Sequence, residues 1–116
     1  MIVLKRIFDE DARQAEFKVL VDRIWPRGIK KTDIKLDRWY RELAPSTALR
    51  KWFNHDPDRW MEFKKKYRSE LKEKTDTLNE IRQLEKQYKE VTLLYAAREE
   101  KRNNAVVLKA VLGSRH

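Results

Sequence analysis

The chain of 116 residues has no cysteine, two glycines and three prolines. Without cysteine there is no disulfide framework, no cysteine-ligated zinc or iron–sulfur cluster, and no thiolate nucleophile. Two glycines cannot build a glycine-rich phosphate loop. No apolar run approaches the roughly 18 residues of a membrane span. The stretch Met1-Ile2-Val3-Leu4-Lys5-Arg6 lacks the charged start and apolar core of a signal peptide. These absences point to a cytoplasmic location and no membrane partner. The only histidines are His55 and His116, so a transition-metal site would have to be assembled from carboxylates. Neither a metal nor another cofactor is expected.

What is present argues for a folded chain. Hydrophobic residues make up 41%, with four each of Trp, Tyr and Phe, so the 41% charged fraction does not imply disorder. The length fits one domain spanning 1–116. A chain of this size buries roughly two thirds of its unfolded surface, enough for a core without staples. The net charge of +9 invites an anionic partner, and nucleic acid at low salt is one. The charge is dispersed, at +3 over 1–31, +1 over 32–56, +2 over 57–90 and +3 over 91–116. No basic tail or block stands out.

Hydrophobic periodicity gives the elements. Ile2 to Phe8 reads as a strand, broken by Asp9-Glu10-Asp11. Phe17 to Asp22 reads as a second strand, with Phe17, Val19 and Val21 on one face and Leu20 on the other, which suggests burial on both sides. Leu36, Trp39, Tyr40 and Leu43 have helical spacing, ending before Pro45. Ser46 is a candidate N-cap for a short helix carrying Leu49, Trp52 and Phe53. Asp56-Pro57 starts the next helix, whose stripe Trp60, Phe63, Tyr67 and Leu71 faces the core while Lys64, Lys65 and Lys66 form a solvated face. Thr75 or Asp76 caps a further helix with Leu78, Ile81, Leu84 and Tyr88 inward. Val91 to Ala97 reads as a central buried strand. After the loop Arg98 to Arg102, Asn103 or Asn104 caps a last helix ended by Gly113. Residues 113–116 suit a tail or a cloning remnant. The whole is expected to be a small layered α/β domain, a short, mostly parallel sheet flanked by helices.

Chemistry has two natural places. One is Asp22-Arg23-Ile24-Trp25-Pro26-Arg27-Gly28, leaving the second strand. The other is Tyr95 to Asn104, between the last strand and its helix. Ligands of open α/β sheets sit beyond the carboxyl ends of the strands, and a helix opening there offers backbone donors. If the two ends are adjacent, Arg23, Arg27 and Arg98 converge on the Asn103/Asn104 helix start, with Trp25 as a stacking wall and Asp22 as a base or hydroxyl-binding group. The alternative is structural, with Asp22 paired to Arg23, Trp25 in the core, and Pro26-Arg27-Gly28 an ordinary turn. His55 is a weaker acid–base candidate that can instead order a helix start. Asp9, Glu10 and Asp11 read as a solvated loop rather than a metal site. No complete nucleophile or acid–base pair is present, so enzyme status stays open.

Several of these stretches resemble a known family. They are Val19 to Gly28, Glu42-Leu43-Ala44-Pro45-Ser46, Leu49-Arg50-Lys51-Trp52-Phe53, His55-Asp56-Pro57, Trp60, Phe63, Tyr67, and Leu93 to Arg98. Together they resemble the YeaO-like proteins, a branch of domain of unknown function 488, across nearly the whole chain. The resemblance implies a compact α/β domain. Other branches resemble a pattern with a Cys and a Cys-His-Arg triplet after the last strand. Here Tyr95 and Ala96 stand at the strand end, and Arg102-Asn103-Asn104 stands at the triplet. Thiol chemistry therefore has no residue to carry it. The functional expectation is a basic strand-end pocket for an anionic small molecule, such as a nucleotide or phosphorylated metabolite. The alternative is a nucleic-acid-binding module using dispersed Lys and Arg.

Overall fold

The computed structural model describes residues 1–114. Gly113 closes the last helix and Ser114 caps it, while Arg115 and His116, the end of the suggested tail, lie outside the described residues. Four strands form one sheet: β1 (Ile2–Arg6), β2 (Lys18–Leu20), β3 (Arg38–Trp39) and β4 (Val91–Tyr95). Their order is β1-β4-β2-β3, and every pairing is parallel. β4 is central, and all five of its residues are buried. The continuous apolar run is explained by that position, since a strand paired on both edges and covered on both faces has no solvent side.

Alternation along the strands sorts side chains onto two faces. Phe17, Val19, Val21, Val91, Leu93 and Tyr95 join the larger cluster. Leu20 and Leu94 join a smaller one with Ile7, Ala12 and Ile34. The helices α1 (Thr47–Phe53), α2 (Trp60–Leu71), α3 (Thr75–Gln87) and α4 (Asn104–Gly113) all contribute to the larger cluster. The smaller cluster is roofed by a 3-10 turn over Glu10–Gln14 and by the loop through Trp25, Ile29 and Leu36.

Local signals place most of the helices. Ser46 Oγ accepts from the Leu49 N–H at 3.1 Å and opens α1. The Asp56 carboxylate accepts from the Asp58 N–H at 2.9 Å, with Pro57 in the first turn leading into α2. Phe63, Tyr67 and Leu71 are buried along α2, and Trp60 packs against them partly covered. Asn103 Oδ1 accepts from the Val106 N–H at 3.1 Å and opens α4.

Two expectations need correction. Leu36 to Leu43 is not a helix: it holds β3 and a 3-10 turn over Arg41–Leu43. Pairing to β2 claims this backbone, since the Asp37 N–H donates to the Lys18 carbonyl and the Tyr40 N–H to the Leu20 carbonyl, both at 2.9 Å. Trp39 then packs on the smaller cluster and Tyr40 on the larger, as strand neighbours do. Secondly, α3 has no side-chain cap. A 3-10 turn over Lys72–Lys74 runs directly on from α2, and Thr75 Oγ1 donates back to the Lys72 carbonyl.

Candidate functional site

The carboxyl ends of β1, β2 and β4 open on one side of the sheet, and a cleft of about 830 Å³ lies there. Its walls come from the chain leaving β1, the chain leaving β2, the β4–α4 loop, the chain entering α1, α1 and its end, and Phe63 of α2. Asp22, Arg23, Trp25, Arg27, Arg98, Asn103 and Asn104, the residues singled out from the sequence, all line it. The two strand ends are adjacent because β2 and β4 are neighbours in the sheet.

Asp22 ties this end of the sheet together. One carboxylate oxygen accepts from the Ala96 N–H at 2.9 Å, and the other from the Asn104 side-chain amide at 3.1 Å. The same amide donates to the Val21 carbonyl, and the Asp22 carbonyl accepts from the Trp39 indole at 2.7 Å. Burial pushes the Asp22 carboxyl above the usual carboxylate range, opposed by the Ala96 N–H, the Asn104 amide and the Arg50 charge. Among the described residues Asp22 forms no ion pair with Arg23. Arg23 instead donates to the carbonyls of Ala44 and Pro45, both at 3.3 Å. The Trp25 indole donates to the Ile29 carbonyl at 2.6 Å, and its ring meets Trp39 edge-on at 5.5 Å. Trp25 thus packs on the smaller cluster while also facing the cleft.

Charge around the cleft is one-sided. Six arginines line it (Arg6, Arg23, Arg27, Arg50, Arg98 and Arg102) against two carboxylates, Asp22 and Glu99. Arg27, Arg50, Arg98 and Arg102 are exposed, and among the described residues none of them forms an ion pair. Low-dielectric walls lined with one sign of charge focus the field and concentrate counter-ions.

Sequence reasoning missed Arg6 and Arg50. Arg6 is the last residue of β1, so the strand-end rule applied to β1 would have found it. Arg50 lies one helical turn before Phe53, which places both on the same flank of α1. His55 also reaches the cleft, from a backbone with φ 55°, directly after Asn54 at φ 46°. Two consecutive non-glycine residues in the left-handed region carry a strain of about 1–2 kcal/mol each. The acidic run Asp9-Glu10-Asp11, read as a solvated loop, runs into the 3-10 turn over Glu10–Gln14. Asp9, Glu10 and Asp11 are exposed, and Asp11 pairs with Lys5 at 2.6 Å. Among the described residues no group of three or more His, Asp or Glu could hold a metal ion.

A family model described as the inactive DUF488-N3 subclade matches residues 1–116. The chain belongs to the DUF488 family. Within it the chain is 39% identical over 107 residues to the uncharacterized protein YeaO of Escherichia coli K12, covering 92% of each. It is 38% identical over 110 residues to the uncharacterized protein Rv3073c of Mycobacterium tuberculosis H37Rv, covering 95% of this chain and 92% of that one. The uncharacterized protein Mb3100c of Mycobacterium bovis is similar to the same degree. No solved structure matches the chain. The YeaO-like placement within DUF488 and the α/β fold both stand, and no described helix is long and apolar enough to cross a membrane.

Proposed function

We propose that this DUF488 protein binds a small anionic molecule, a nucleotide or other phosphorylated metabolite, in the strand-end cleft, and that it does so in the cytoplasm. The observation that carries the reading is six arginines against two carboxylates around one concave site at parallel strand ends. Arg27, after β2, and Arg98, after β4, supply the charge, Trp25 a wall, and the Asn103/Asn104 start of α4 the backbone donors. Arg23 is held by carbonyls and contributes a fixed positive charge. Asp22 holds the strand ends in place, which suits a scaffold more than a free base. Binding without turnover is supported by the absence of any thiol and by the subclade's description as inactive.

The second reading is a nucleic-acid-binding module. It is favoured by Trp52, whose ring is approached by Arg59 at 5.2 Å and by Lys66 at 4.4 Å, a pairing of aromatic and basic groups on the α1–α2 surface.

A thermal-shift screen against nucleotides, sugar phosphates, inorganic phosphate and short DNA and RNA, at low and high salt, separates the two. Ligand at about 100 times its Kd adds roughly 2.7 kcal/mol. A small-anion shift that survives salt and disappears in Arg27→Ala and Arg98→Ala is the expected result. Shifts with polynucleotides alone, lost in salt, would transfer the function to nucleic acid.

A further inference from the structure

The cleft is apolar as well as basic. Four large hydrophobic side chains are exposed among the described residues, and two of them, Phe8 at 41% and Ile24 at 56%, line this cleft. Phe8 follows β1 and Ile24 follows β2, while β4 lies between those strands and is followed by Ala96 and Ala97. The three chain exits therefore form an apolar row across the strand ends. Pro26, Pro45 and the buried rings of Phe53 and Phe63, stacked at 4.3 Å, extend that surface inward.

Phe8 is held in place despite its exposure. The Arg6 guanidinium lies 4.5 Å from its ring centroid. Arg6 Nε in turn donates to the carbonyls of Ala96 and Ala97 at 3.3 and 3.2 Å. An exposed ring fixed by a cation that is itself fixed loses little freedom on meeting a ligand. Inorganic phosphate or a sugar phosphate would leave this row in water. A ring-bearing anion would cover it while its charge meets the arginine rim, and about 830 Å³ lies within the usual range of small-molecule sites.

Resting on the proposed anion cleft, we infer that the ligand is an organic anion with a flat hydrophobic body, seated on Phe8, Ile24 and Ala97 with its charged group toward Arg27 and Arg98. Sugar phosphates are poor ligands because they place hydroxyls where the walls offer carbon.

The test is titration calorimetry with 1-naphthyl phosphate, glycerol 3-phosphate and inorganic phosphate. Wild type should bind 1-naphthyl phosphate about tenfold or more tighter than glycerol 3-phosphate, since a covered ring gains roughly that much. Phe8→Ser and Ile24→Ser change exposed positions, so their melting temperatures should stay near wild type. Each should weaken 1-naphthyl phosphate about tenfold more than glycerol 3-phosphate and so remove most of the naphthyl preference, whereas Arg98→Ala should weaken both. Equal affinity for the two organic phosphates, with both weakened by Arg98→Ala, would overturn this inference and leave the anion cleft standing. A naphthyl preference that survives Phe8→Ser and Ile24→Ser would overturn its placement. No binding of any of the three, or binding indifferent to Arg98→Ala, would overturn the anion cleft as well.

Discussion

Replacing Asp22 by Asn tests whether the carboxylate joins β2, β4 and α4. Both of its oxygens accept from fixed donors, the Ala96 N–H and the Asn104 amide. An Asn side chain has one accepting oxygen, so its own NH2 would face one of those donors. Leaving one part-buried donor unmet costs about 1–3 kcal/mol. Removing a carboxylate disfavoured by burial offsets some of this, which places the expected loss near the lower end. For a chain of this length that is a fall in Tm of roughly 4–8 °C, read by thermal and urea melts. The pH dependence gives a second readout. The folded Asp22 carboxyl sits above its unfolded value, so the folded state binds more protons between the two. Stability from this group is full below the unfolded value, about 4, and falls as pH rises through the folded one. The advantage of wild type over Asp22→Asn should therefore shrink from pH 4 toward neutrality. An unchanged or raised Tm in Asp22→Asn would refute the role of Asp22 as the tie, and an advantage that grows with pH would contradict the upward shift of its carboxyl.

Two further substitutions probe the same scaffold. Asn103→Ala removes the acceptor for the Val106 N–H at the start of α4, and should cost about 1 kcal/mol in urea denaturation. A neutral result would mean that α4 starts without its cap. Thr92 is fully buried in β4 and its hydroxyl has no partner among the described residues. Thr92→Val keeps the shape and should raise stability by about 1 kcal/mol, seen as a higher Tm. A fall would show that the hydroxyl is satisfied in solution.

The strand-end site was legible because its punctuation is local. Pro26 and Gly28 mark the loop that follows β2, and Asn103 has the side chain that a helix start needs. That β2 and β4 are neighbours could only be conjectured, because β-pairing joins residues 74 apart, as the Ala96–Asp22 bond does. β3 was misread because Leu36, Trp39, Tyr40 and Leu43 fit a helical period, and the decisive bonds come from β2, about 20 residues earlier in the chain. Arg50 and Phe8 carried no local signal, and Arg6 carried only its place at the end of β1. Each acquires its place only when β1 pairs with β4 and α1 packs on α2. The ion pair expected between Asp22 and Arg23 fails because each is held elsewhere, Arg23 by the carbonyls of Ala44 and Pro45 and Asp22 by Ala96 and Asn104.

The most direct test of the central claim is a map of amide and indole shifts on titration with 1-naphthyl phosphate. The largest changes should fall on Ala96, Arg98, Asn104, Ile24 and Phe8, the residues around the strand-end cleft. Changes concentrated instead on Trp52, Trp60 and the lysines of α2 would contradict it.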